Sequence, residues 1–324
     1  MIMETILIGI HGLRNKPSKY LLTKWWKKSI DEGFRIINMP PPPFTLEIAY
    51  WAQYMHTRPQ DPQINDRSDI RFLWEPYIPG SYFGPRDPRN FHKQLKADIH
   101  QQLMHLIAGE SGFMNYDTIS NRILHRMFEE LDTYYHGTLK DERGALHPAR
   151  ELIRGELIRV LNKHKDKSIC LLAHSMGTII AYDVLLHAKP IIPIHTLITF
   201  GSPLGFPVIR KKIKQELTIE DDEEIKLPTP EAITHRWINF SDLDDVTCLN
   251  YNLRYHYHAN ESGVRPFDRI VYNNYEHNGS KNPHKAYGYL RTLDLTQALN
   301  TFLTIENASF FERVRWLFTP PRII

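Results

Sequence analysis

Apolar residues in this chain gather into short β-branched or aromatic runs, and between them lie longer stretches with apolar positions three and four apart. The runs Ile6 to Ile10, Phe44 to Tyr50, Ser168 to Leu172, His195 to Phe200, Arg236 to Phe240 and Arg269 to Tyr272 predict strands. Several are apolar enough for burial on both faces. Helical spacing predicts helices over 17–33, 148–165 and 176–189, the second with Leu152, Leu157, Val160 and Leu161 on one face. Strands that alternate with helices pack as a parallel sheet, because a parallel pair needs a crossover and the helix supplies it. The expected fold class is α/β, a mainly parallel central sheet with helices on both faces.

Residues 53 to 147 break the alternation. The stretch 53–90 is dense in Pro, Asp and Arg and has no sustained period. Two amphipathic helices are then expected over 91–108, with Leu95, Ile99, Leu103 and Leu106, and over 118–136, with Ile123, Met127, Phe128 and Leu131. We therefore expect a sheet core from 1–52 and 148–324, with 53–147 inserted as a helical cap. The acidic run Glu220 to Glu224 is expected to be a solvated loop, and Phe310 to Phe318 to dock on the body through Phe311, Val314 and Phe318.

Composition narrows the partners. At 42% hydrophobic and 24% charged, the 324 residues can fill a sizeable core, which rules out disorder as the main state. A net charge of +3 with no basic cluster gives no nucleic-acid footprint. Cys170 and Cys248 cannot staple a chain of this length, and Cys170 falls in a strand-like run, so a reducing, cytoplasmic setting is expected. The apolar stretch Ile6 to Ile10 is too short for a secretion signal. Residues 178–200 contain Asp183, His187, Lys189, Pro190 and Pro193, so no membrane span is expected there.

The sharpest chemical signal is Ala173-His174-Ser175-Met176-Gly177, set where a buried strand runs directly into a helix. A serine at so sharp a turn is held in a strained backbone conformation with its Oγ presented above the sheet, and small flanking residues let strand and helix approach. Ser175 is a weak nucleophile unless an imidazole takes its proton, and that imidazole needs a carboxylate to orient it. His174 cannot serve, since neighbours in a tight elbow point apart; it is expected to pack beside the sheet. His256, His258 and His277 are the rivals to any other base. The His256-Tyr257-His258 pair lacks the further ligands that a zinc site needs, so no metal site is expected.

These residues resemble the α/β-hydrolase superfamily, especially its lipase-like serine esterases. His11-Gly12-Leu13 is similar to the oxyanion loop after the family's first central strand, and Ala173 to Gly177 to its nucleophile elbow, with Ala173 where Gly is usual. Thr199-Phe200-Gly201-Ser202-Pro203-Leu204-Gly205 looks like the segment after the nucleophile helix. Ser241-Asp242-Leu243-Asp244-Asp245-Val246 looks like the Asp-x-Val acid loop, and Asn282-Pro283-His284-Lys285-Ala286-Tyr287 like the histidine loop.

The resemblance implies Ser175 as nucleophile, His284 as base and then acid, Asp244 as the orienting carboxylate, and the amides of Leu13 and Met176 as oxyanion donors. Asp242 and Asp245 crowd the same turn. Asp242 is also well placed to bond turn amides, and His11 is expected to be a satisfied loop histidine. Tyr50 and Trp51 are candidates to line an acyl pocket. No cofactor is implied. The expected activity is hydrolysis of a small-molecule or lipid-like carboxylic ester through an acyl-serine. Peptidase, thioesterase or acyltransferase activity on the same fold, or a non-catalytic binding protein, are the alternatives.

Overall fold

The computed structural model describes residues 4–80, 119–222, 224–248 and 250–306. Six strands form one sheet: β1 (Thr5–Ile10), β2 (Leu46–Ala49), β3 (Ser168–His174), β4 (Ile194–Phe200), β5 (Ile233–Ser241) and β6 (Pro266–Ile270). Their order is β6-β5-β4-β3-β1-β2, and every pair is parallel. The α-helices of five or more residues among the described residues are α1 (Lys19–Ile36), α2 (Ile119–His136), α3 (Ala149–Lys163), α4 (Met176–His187), α5 (Pro207–Glu216), α6 (Ala286–Leu290) and α7 (Leu293–Asn300).

Helices cover both faces. Ile6, Ile8 and Ile10 of β1, with Ile169, Leu171 and Ala173 of β3, pack into a core with α2, α3, α4 and α5. Leu7, Cys170 and Leu172 point the other way, into a core with α1, α6 and α7. That double burial is why these strands read as unbroken apolar runs rather than alternating ones. The edge strand β6 falls upstream of the expected Arg269 to Tyr272. Phe267 and Ile270 on it stay about half exposed, so it lacks the apolar run that marks its neighbours.

Within the expected insertion, α2 lies on α3, and a buried polar cluster ties the helical layer together. Tyr134 Oη of α2 donates to Asp183 Oδ2 of α4 at 2.5 Å, while the Arg150 guanidinium of α3 reaches Asp183 and Glu216 of α5 at 2.8 Å. Burial opposes ionisation of Asp183, but the bonds from His187, Arg150 and Tyr134 and the Arg150 charge outweigh it and hold its carboxyl far below the ordinary range. The expected helix over 91–108 and the segment Phe310 to Phe318 lie outside the described residues.

The chain leaves β1 through α1 on one face to reach β2, then returns through α3 on the other face to β3. Strand order therefore reverses between β1 and β3, and in open parallel sheets that reversal opens a crevice at the strands' carboxyl ends. Gly12 follows β1 there, and Ser175 follows β3.

Candidate active site

Ser175 stands between β3 and α4 with φ 55° and ψ −129°, a left-handed backbone that costs a non-glycine residue about 1–3 kcal/mol. Its amide donates to Phe200 O at 3.1 Å, which pins the elbow to β4. Packing explains the small residues around it. A Cβ on Gly177 would lie 2.6 Å from Ile10 O and 2.7 Å from His11 O, so α4 can rest on the end of β1 only with glycine here. A Cβ on Gly12 would lie 2.5 Å from Ser175 Cβ. Ala173, where glycine was the usual residue, is fully buried, and its methyl is accommodated in the core.

Ser175 Oγ lies 2.9 Å from His284 Nε2, and His284 Nδ1 donates to Asp245, 2.9 Å from Oδ2 and 3.0 Å from Oδ1. The carboxylate against the histidine is thus Asp245, which corrects the expectation of Asp244. The reason lies in the turn. Asp245 precedes a 3₁₀ turn over Val246–Cys248 and caps it, its Oδ1 accepting the Thr247 amide at 2.9 Å. That fixes its carboxylate in the buried crevice, whereas the Asp244 amide is drawn to Asp242 Oδ1 at 2.8 Å and the residue is only half-buried.

Asp245 is further held by two hydroxyls. Thr247 Oγ1 lies 2.7 Å from its Oδ1, and Tyr289 Oη donates to its Oδ2 at 2.8 Å. Burial opposes its ionisation, yet the His284 charge and the bonds from His284, Thr247 and Tyr289 prevail, so the carboxyl sits below its ordinary value. Gly201, at φ 57°, leaves the room required, since a Cβ there would lie 3.1 Å from Asp245 Oδ2 and 3.2 Å from the His284 ring. Asp242 accepts the Asn273 amide at 2.6 Å as well as that of Asp244. Burial, aided by the neighbouring Asp245 and Asp244 charges, outweighs those bonds and pushes its carboxyl up to about 7.

The loop carrying His284 is held on several sides. His174 Nε2 donates to the His284 carbonyl at 2.8 Å, and the two rings lie 4.8 Å apart. Burial first, and the His284 charge second, keep His174 neutral, well below the usual histidine range. Asn273 Nδ2 donates to the Pro283 and Lys285 carbonyls at 2.7 and 2.8 Å, and the His284 amide donates to Asn282 Oδ1 at 3.0 Å. Glu75 accepts from Asn282 Nδ2 at 2.5 Å and Lys285 Nζ at 2.9 Å, bridging the residues that flank the histidine.

The loop after β1 is held as firmly. Arg14 adopts φ 70°, and its amide donates to both carboxylate oxygens of Glu130 on α2, at 2.8 and 3.1 Å. Lys16 Nζ donates to the Leu13 carbonyl and, at 3.1 Å, to that of Arg14. Burial, then the nearby Lys285 charge, pulls the Lys16 ammonium down to about 7.

A family model described as the PGAP1-like alpha/beta domain matches residues 77–238, half of the chain. The chain belongs to the PGAP1-like alpha/beta family. This is an α/β-hydrolase-like family of lipases and esterases, in agreement with the parallel sheet and its flanking helices. No curated protein matches the chain.

The PGAP1-like match ends at Ile238, so it spans Ser175 but neither the acid turn nor the histidine loop, which the geometry alone joins to it. Tyr50 and Trp51 are nearly and fully buried respectively. Trp51 Nε1 donates to the His11 carbonyl at 2.8 Å and its ring stacks on the His11 ring, while the Tyr50 hydroxyl donates to Lys16 O at 3.3 Å. Both candidates for acyl-pocket lining thus back the loop after β1, and these contacts account for their burial. His11 donates from Nδ1 to Gly12 O at 2.9 Å and accepts the Ala52 amide at Nε2, a satisfied loop histidine.

Thr247, Tyr289, Asn273, Glu75 and Glu130 were not singled out from sequence. Tyr289, Asn273, Glu75 and Glu130 work through partners remote in the chain, and Thr247 acts on Asp245 two positions before it, so no recognisable spacing marks them. Among the described residues no three His, Cys, Asp or Glu side chains converge as a metal site would require, and no helix is long and apolar enough to cross a membrane.

Proposed function

We propose that the chain is a serine hydrolase that cleaves carboxylic esters of small-molecule or lipid-like alcohols through an acyl-serine intermediate, without a cofactor. The observation that carries the reading is the continuous chain of contacts from Ser175 Oγ to His284 Nε2 and from His284 Nδ1 to Asp245. His284 takes the serine proton as Oγ attacks the ester carbonyl. Asp245 holds the imidazole in the tautomer with Nδ1 protonated and stabilises the imidazolium that forms. The same imidazolium then returns the proton to the departing alkoxide, and a water repeats the sequence to release the acid. Negative charge on the carbonyl oxygen falls to the backbone amides of Met176, at the start of α4, and Leu13, beside Gly12.

Ser175 has no exposed surface, so a substrate reaches it only when the structure above it opens. Segment 53–147 is the cap that our reading assigns to that task. Labelling with a fluorophosphonate tests the function: the wild-type chain should react at one serine, and Ser175→Ala should abolish both the label and ester turnover above about 10³–10⁴-fold over water. A wild-type chain that resists the probe would identify a non-catalytic protein on the hydrolase fold.

A further inference from the structure

We propose that Glu130, on the helix α2 that belongs to the expected cap, is a positioning residue for the oxyanion site. The inference rests on the serine-hydrolase reading above and adds a residue to it. The peptide unit joining Leu13 to Arg14 is gripped at both ends. Its N–H donates to the two Glu130 oxygens at 2.8 and 3.1 Å, and its C=O accepts from the Lys16 ammonium. A carboxylate on one side and the Lys16 amino group, a donor in either protonation state, on the other fix that peptide plane, and with it ψ of Leu13 and the left-handed φ of 70° at Arg14.

The consequence passes one peptide back. Gly12 lies in van der Waals contact with Ser175, with no room between them for even a methyl group. The Gly12–Leu13 peptide, whose amide is the first-strand donor, therefore sits between two fixed points: Gly12 wedged against the serine, and the Leu13–Arg14 plane clamped by Glu130 and Lys16. A non-glycine residue holds a left-handed φ only where its surroundings over-determine it, and here Glu130 supplies that determination from more than a hundred residues away. The burial of Glu130, with only 9% of its surface exposed, makes its bonds to the amide stronger than a solvated carboxylate would form.

A donor displaced by about 1 Å from a developing oxyanion costs up to roughly 10²-fold in rate. Glu130→Ala is expected to lower kcat for 4-nitrophenyl butyrate by about 10–100-fold with KM changed by less than about twofold, and to slow fluorophosphonate labelling of Ser175 by a similar factor.

The discriminating readout is the rate ratio between that ester and its thiono analogue. Sulfur accepts hydrogen bonds poorly, so a well-aligned donor favours the oxo ester, and the ratio should shrink in Glu130→Ala. Glu130→Gln keeps the volume and one acceptor for the Arg14 amide, and should fall between wild type and Ala; it carries the test if the Ala variant does not fold. Glu75→Gln, which loosens the histidine loop instead, should lose rate with the ratio intact. A ratio unchanged in both Glu130 variants overturns the proposal, whether the rate is retained or falls with thermal stability. Absence of labelling in the wild-type chain would instead remove the serine-hydrolase reading beneath it.

Discussion

The nucleophile elbow and the acid turn lie at the carboxyl ends of β3 and β5, with β4 between them, yet they are built by different forces. The elbow is a matter of local sterics: strand, strained serine, helix, and a glycine where the helix meets the backbone of β1. The acid turn presents three aspartates in four positions, and hydrogen bonds choose among them, from Thr247 within the turn and from Tyr289 and His284 far along the chain. Asp245 is selected because Thr247 and Tyr289 place hydroxyls on it and His284 arrives from the far end of the chain. Steric requirements leave a trace in the residue types themselves. A choice made by distant partners leaves none in the turn that displays it.

Exchanging a single oxygen for nitrogen should give the largest effect. Asp245→Asn favours the wrong imidazole tautomer and should lower turnover by about 10⁴-fold with the fold intact, while Asp244→Asn should stay within about tenfold of wild type. Comparing kcat of the two variants on one short ester checks the assignment, and the reverse order would return the acid to Asp244.

The steric side of the comparison can be broken with a methyl group. Two of the helical glycines make the contrast: Gly177 in α4, pressed on the carbonyl oxygens of Ile10 and His11 at the β1 end, and Gly155 in α3, with open space around its missing Cβ. Gly177→Ala should destabilise by about 1–3 kcal/mol through displacement of the elbow. Gly155→Ala should stabilise by about 0.5–1 kcal/mol through helix propensity. Urea unfolding of the pair reads both signs, and equal shifts would remove the close contact as the cause.

A pH-dependent effect falls on Asp242, whose carboxyl is pushed up to about 7. A carboxyl that binds its proton more tightly when folded makes the folded state lose stability as pH rises from the ordinary carboxyl range to about 7. Stability should therefore decline across that window, and Asp242→Asn should flatten the decline. Urea midpoints at a series of pH values check it; a slope that survives the substitution would assign it to another group.

The same contrast explains what could be read ahead of the structure. Five of the six strand positions and the helices over 17–33, 148–165 and 176–189 were legible because strands covered on both faces form apolar runs and helices buried on one face show an apolar period. The edge strand β6 was misplaced because half of it faces water. Ser175 and His284 were legible from the residues around them, and the structure brings them to 2.9 Å. Asp245 was hidden among its neighbours, and the packing of Tyr50 and Trp51 under the loop after β1 was not legible, because an aromatic pair at a strand end looks the same whether it greets a ligand or props a loop. Glu75 falls in a stretch without a period and Glu130 is one charged residue among several on a helix, so neither carries a spacing signal of its own, and only their partners reveal them.

The central place of β1 also has a cost in time. It is the first strand of the sheet to be made, yet it lies inside the sheet, with Thr5 to Ile10 paired on one side to Ser168 to Ala173. At about 5–20 residues per second of synthesis, that partner arrives roughly ten to thirty seconds later. Throughout that interval an almost wholly apolar strand has a vacant edge, open to pairing with other nascent chains. Newly made molecules of this protein therefore pass through an aggregation-prone window that holdase chaperones are suited to cover, and synonymous codon changes that slow translation between β2 and β3 should lower the soluble yield without altering a single contact in the finished fold.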